Sequence, residues 1–144
     1  MSGIVVGVDG SPHSQKALDW AMTEAALRNV HLTAVAVAPA AASIWGITGQ
    51  FSPSQETVDK VSHAAQEVVD KAVSRQGYQD VSVHAVAGVP ADELVKASQD
   101  ADLLVVAARG AGGFARLRMG SVSNQVSHHA TCPVVIVPSG AERP

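Results

Sequence analysis

Five short apolar runs of strand length alternate with segments of helical period along the whole chain: "IVVGV" (4–8), "HLTAVAVA" (31–38), "VSVHAVA" (81–87), "LLVVAA" (103–108) and "PVVIV" (133–137). Most are rich in Val and bounded by Gly, Pro or Asp, as strands are. Runs such as "LLVVAA" show no polar alternation, which is the pattern of a strand buried on both faces in a parallel sheet. Between the runs, Ser11 with Pro12 opens a helix whose stripe is Ala17, Leu18, Ala21, Met22, Ala25 and Ala26, down to Arg28. A longer helix starts near Ser54, turns Val58, Val61, Ala65, Val68, Val69 and Ala72 inward, and ends before Gly77. A third runs from about Pro90 to about Ser98, and a fourth from Gly120 or Ser121 to about His129. The order β-α-β-α-β-α-β-α-β predicts a parallel sheet wound by right-handed crossovers, with helices on both faces.

One chain of 144 residues is enough for this. It is read as a single domain over 1–138, followed by a frayed tail at 139–144, and a chain of this length buries roughly 68–70% of its unfolded surface without staples. Segment 39–53 reads as a loop in which Trp45 and Phe51 either pack or anchor a flap. Cys132 is the only cysteine, so no internal disulfide forms and a reducing cytoplasm is expected, with Cys132 a small buried hydrophobe. The opening "MSGIVVGVDG" lacks the basic region of a signal peptide, and no apolar run approaches the roughly 20 residues of a membrane span. A net charge of −3 offers no general attraction to nucleic acid or acidic lipid, so an anion site must be local.

The place for such a site is the loop "AARGAGGFARLRMGS" (107–121), which carries four glycines and three arginines between the fourth strand and the fourth helix. In open α/β sheets ligands sit beyond the carboxyl ends of strands where the strand order reverses, and this loop and "DGSPHS" after the first strand would flank that crevice. Glycine lets phosphate approach the backbone, and a helix N-terminus adds unpaired N–H groups and partial positive charge. Gly110, Gly120 and Ser121 fit a phosphate cradle, with Arg109, Arg116 and Arg118 adding charge; a surface loop capped by Ser121 fits the composition equally well. Asp9 likewise suits a ligand or an Asx turn. No Gly-Lys-Ser/Thr follows a glycine loop, and "GAGGFA" is separated from its helix by "RLRM", so a Walker loop and a dinucleotide fingerprint are both excluded. None of the six histidines has zinc-ligand spacing, and neither a metal site nor a histidine-based catalytic site is expected.

In "IVVGVDGSPHSQKALDWA", "GVPADELV" (88–95) and "DLLVVAARGAGGFARLRMGSVSNQVSHHATCPVVIV" (102–137), the chain resembles the universal stress protein family over essentially its whole length. The resemblance implies a three-layer α/β/α fold, flavodoxin-like or Rossmann-like and related to the adenine nucleotide alpha hydrolases, with strand order 3-2-1-4-5. It also implies, in one branch, an ATP site of pattern G-x2-G-x9-G-[ST]. On this chain Ala107 stands where the first glycine would be, Gly110 takes the second, and Gly120-Ser121 completes the pattern. The implied nucleotide-binding set is Gly7, Val8, Asp9, Val37, Ala107, Arg109, Gly110, Gly120, Ser121, Val122 and Ser123, with Val37 near the adenine and Ser121 to Ser123 under the phosphates. The expected ligand is ATP, accompanied by Mg2+, with AMP and cyclic AMP as alternatives. The expected role is nucleotide-binding regulation in a stress response without rapid turnover and with no catalytic residue. An interaction protein that has lost the nucleotide and a slow metal-dependent ATPase using Asp9 are the alternatives. The apolar last strand, Pro133–Val137, is expected to pair two copies as a homodimer.

Overall fold

A computed structural model describes residues 2–39, 54–109 and 120–139. The chain runs β1 (Ile4–Gly7), α1 (Pro12–Arg28), β2 (Leu32–Pro39), α2 (Gln55–Gln76), β3 (Val81–Gly88), α3 (Pro90–Ala97), β4 (Leu103–Ala107), α4 (Ser121–His129) and β5 (Val134–Val137). The sheet has the order β3-β2-β1-β4-β5, with every neighbouring pair parallel. The expected order 3-2-1-4-5 is therefore present, with helices on both faces.

The central strands explain their unbroken apolar sequences. Ile4 and Val6 of β1, with Leu103 and Val105 of β4, face α1 and α2 in one cluster with Leu18, Met22 and Val69. Val5, Leu104 and Val106 face the opposite way, against Ala91 and Leu94 of α3 and Val126 of α4. Each successive residue thus meets a different helical layer, so neither parity can be polar. Burying a side chain of this size contributes about 1.5–3 kcal/mol, and the five residues of β1 and β4 that are fully shielded from solvent account for much of the core.

The helix ends follow the local signals. Ser11 caps α1 in extended conformation, its hydroxyl accepting the Ser14 N–H at 3.1 Å, and Pro12 sits where no amide donor is missed. Ser54 caps α2 in the same way, and Gly77, in the left-handed region at φ 79°, ends it. Two expectations need correction. Ala26 is exposed, because the buried face of α1 is the narrower set Ser14, Ala17, Leu18, Ala21, Met22 and Ala25. Cys132 is only partly buried, at the margin of the second cluster. Trp45, Phe51, Gly110, Arg116, Arg118 and the tail beyond Ser139 lie outside the described residues. Among the described residues no helix is long and apolar enough to cross a membrane.

Candidate nucleotide site

The strand order reverses between β1 and β4, which pair Ile4 with Leu103, Val5 with Leu104 and Val6 with Val105. Their carboxyl ends therefore release two loops side by side, one into α1 and one toward α4. This is the crevice in which an open parallel sheet holds its ligands.

The β1 side is tightly tied. Val8, buried, donates its N–H to the Val35 carbonyl at 2.9 Å and so extends the sheet one residue beyond Gly7. Gly7 leaves room for α3: a Cβ there would lie 3.0 Å from Leu94 Cδ1. Asp9 is exposed, and its Oδ1 accepts the Ser11 N–H at 2.9 Å, the Asx turn that the sequence allowed. The Asp9 N–H in turn donates to Ser14 Oγ at 3.2 Å. Gly10 makes this turn at φ 82°, a conformation that side-chain-bearing residues avoid, with open space where a Cβ would stand. These bonds hold the turn in place at the mouth of the crevice.

The β4 side differs in one respect that matters chemically. Gly120 is the N-cap of α4, in extended conformation at φ −69° and ψ 158°, and among the described residues no side chain caps the helix. Ser121, expected as a cap, is instead the first helical residue and is exposed. The first intrahelical bond joins the Asn124 N–H to the Gly120 carbonyl at 3.1 Å, so the N–H groups of Ser121, Val122 and Ser123 form the open positive end of the helix. The helices α1 and α2 fill that place with their own serines; α4 presents it at the switch point of the sheet.

The two ends of the loop are pinned together. The Gly120 N–H donates to the Ala108 carbonyl, and Ser123 Oγ reaches both the Ala108 and the Gly120 carbonyls at 3.0 Å. Ser123 is 1% exposed, so what it offers to the crevice is its backbone N–H, while its hydroxyl holds the loop shut at its base. Ala107 ends β4 in register with Val137 and packs partly buried against the first cluster. Arg109 follows at intermediate burial. Val37 lies on β2 in register with Val86, partly buried against the second cluster. Gly7, Val8, Asp9, Ala107, Arg109, Gly120, Ser121, Val122 and Ser123 are thus gathered at the carboxyl end around the β1/β4 junction, Val37 lies toward the same end of β2, and Gly110 falls outside the described residues.

The histidines are placed unexpectedly in one case. His63 pairs across a helical turn with Glu67 at 3.9 Å, and His128 bonds the Asn124 carbonyl at the end of α4. His31, however, is joined to Asp80 and Ser82, a cluster that sequence spacing does not reveal and only the pairing of β2 with β3 creates.

Comparison with known proteins agrees with this geometry. The family model described as the universal stress protein family matches residues 1–138. Universal stress protein Rv2623 of Mycobacterium tuberculosis is 37% identical over 139 residues, covering 94% of this chain and 47% of the relative. The chain spans about half the length of the curated relatives it matches. Among solved structures, a universal stress protein in complex with cAMP is 30% identical, with TM-score 0.69 and coverage of 96% of this chain and 98% of that one. The universal stress protein of Archaeoglobus fulgidus in complex with dAMP is 25% identical, with TM-score 0.64, and covers 95% and 98% of the two chains.

Proposed function

The chain belongs to the universal stress protein family, and on that premise we propose that it is an adenine-nucleotide-binding regulatory protein that takes ATP across the β1/β4 crevice and does not turn it over rapidly. The observation that carries this reading is the uncapped N-terminus of α4 at the sheet's switch point, pinned to β4 by Ser123. A phosphate there receives the N–H groups of Ser121, Val122 and Ser123 together with the helix dipole, at no cost to an internal cap. The glycine at 120 keeps a side chain out of the path of the phosphates. Val37 supplies an apolar wall for the base, and Asp9, exposed beside the turn at Gly10, supplies a carboxylate for ribose hydroxyls or for a Mg2+ ion that accompanies the phosphates. The structures of relatives with cAMP and dAMP support an adenine nucleotide as the ligand class.

Slow or absent turnover is the reading that the holding of Asp9 supports. Asp9, the carboxylate at the mouth of the crevice, commits one oxygen to the Ser11 amide and is held as part of the turn. A bound nucleotide then acts by the state it stabilises, as suits a regulator in a reducing cytoplasm. The edge strand β5, apolar along Val134–Val137 and paired among the described residues to β4 alone, supports assembly of two copies through that edge.

Calorimetric titration with ATP and adenosine tests the proposal. Gly120→Val should abolish ATP binding and leave adenosine far less affected. Ser121→Ala, if the hydroxyl bonds phosphate, should weaken ATP roughly 10- to 150-fold, the equivalent of a charge-assisted hydrogen bond of about 1.5–3 kcal/mol. Folded variants that bind ATP as the parent does would remove this loop from the site.

A further inference from the structure

At the opposite, amino end of the sheet, three residues form a hydrogen-bonded line. His31 directly precedes β2 and Asp80 directly precedes β3, and the parallel register sets Leu32 beside Val81 and Thr33 beside Ser82. That register lays His31, Asp80 and Ser82 on one face. His31 Nδ1 is 2.7 Å from Asp80 Oδ1, and His31 Nε2 is 2.8 Å from Ser82 Oγ. A carboxylate only accepts, so the neutral imidazole carries its proton on Nδ1 and turns a free lone pair on Nε2 toward the serine hydroxyl. Carboxylate, imidazole and hydroxyl in this order are the arrangement that activates a serine for acyl transfer.

The backbone beneath is held firmly. The Ile4 N–H donates to the His31 carbonyl at 2.9 Å, and the Leu32 N–H donates to the Asp80 carbonyl at 3.0 Å. β1 approaches so closely that a Cβ on Gly3 would lie 2.3 Å from the His31 carbonyl oxygen. The side chains themselves are open to solvent: His31 is 39% and Asp80 60% exposed, and Ser82 is exposed. β3 is also a sheet edge. With the Asp80 carbonyl paired to Leu32, the alternation of a parallel ladder turns the N–H of Val83, the residue after Ser82, away from β2 and toward that edge. A backbone donor of the kind that stabilises an oxyanion therefore lies one residue beyond the serine along that edge.

We propose that Ser82 is a nucleophilic serine that accepts the acyl group of an activated carboxylic ester, with His31 as general base and Asp80 as the positioning residue for the imidazole. Ser82 Oγ bonds to the ester carbonyl carbon while its proton passes to His31 Nε2. The bond from that carbon to the alcohol oxygen then breaks, the alcohol leaves with the proton from Nε2, and the chain retains an ester on Ser82 with a neutral His31. This site lies at the other end of the strands from the α4 N-terminus and is independent of the nucleotide.

The test is incubation of the protein with p-nitrophenyl acetate, following p-nitrophenolate release and locating the acetyl group by peptide mass. The expected result is a burst approaching one acetyl per chain, on Ser82, that Ser82→Ala abolishes. His31→Gln should slow the acetylation of Ser82 about 100-fold, in the range of general-base assistance. Asp80→Asn should also slow it, and Asp80→Glu, which restores a carboxylate, should recover most of the rate. Acetyl groups confined to lysines or histidines, or acetylation of Ser82 at the parental rate in His31→Gln, would overturn the proposal.

Discussion

Ser123, on the first turn of α4, donates its hydroxyl to the carbonyl of Ala108 at 3.0 Å across fifteen positions of sequence, and so fixes where the helix begins relative to the end of β4. The bond from the Gly120 N–H to the same carbonyl adds a second tie between the start of α4 and the end of β4. Ser123→Ala should cost about 1 kcal/mol of stability by urea unfolding, the net value of a buried hydrogen bond. It should also weaken ATP binding while leaving adenosine nearly unchanged. Equal loss for the two ligands would mean that Ser123 supports the whole domain and not the phosphate end.

Ala107 stands where the resemblance places a glycine. It packs partly buried against the first cluster, in register with Val137 of β5. Ala107→Gly should tighten ATP binding or leave it unaltered, at about 0.5–1 kcal/mol of stability for a glycine within a strand. Weaker binding in a folded variant would show that the methyl group helps to shape the pocket.

The elements were legible because their signals are local. Ser11-Pro12 and Ser54 mark helix starts, Gly77 marks an end, and "LLVVAA" declares a strand with two buried faces. The exposure of Ala26 was not legible, since whether a helix buries a wide or a narrow stripe depends on how its neighbour crosses it. At the candidate site the glycine spacing pointed to the loop that leads into α4, but a serine's type cannot tell whether its hydroxyl faces ligand or backbone; Ser121 is exposed and Ser123 turns inward. The line of His31, Asp80 and Ser82 was beyond local reading, because its members are 49 and 51 residues apart and meet only through the β2–β3 register. An allowance for which strand starts become neighbours in a 3-2-1-4-5 sheet would have found it.

Tyr78 links the stability of the fold to alkaline pH. Its hydroxyl donates to the Val30 carbonyl at 2.6 Å, and burial, with the nearby Asp80 carboxylate, raises its pKa above the ordinary 10.0. Between 10.0 and that raised value the folded chain holds a proton that the unfolded chain has released. Its contribution to stability is therefore complete below the ordinary value and is lost as pH rises through the raised one. Unfolding followed at rising pH should show stability falling across this window, and Tyr78→Phe should flatten that fall. An identical slope in the two proteins would exclude Tyr78 as its source.

The free side of β5 predicts the assembly. Light scattering at tens of micromolar should give twice the mass of one chain, and Ile136→Lys, placing a charge on the edge strand, should shift the population to monomers. A monomeric parent protein would contradict pairing through this strand.

The most direct test of the account is to denature freshly purified protein, identify any released nucleotide by mass, and titrate the emptied, refolded chain with ATP, AMP and cyclic AMP. The account predicts a released adenine nucleotide, with ATP foremost, and saturable binding that Gly120→Val removes. No adenine nucleotide in the released material and no binding of any of the three on titration would contradict it, and would leave the β1/β4 crevice without its ligand.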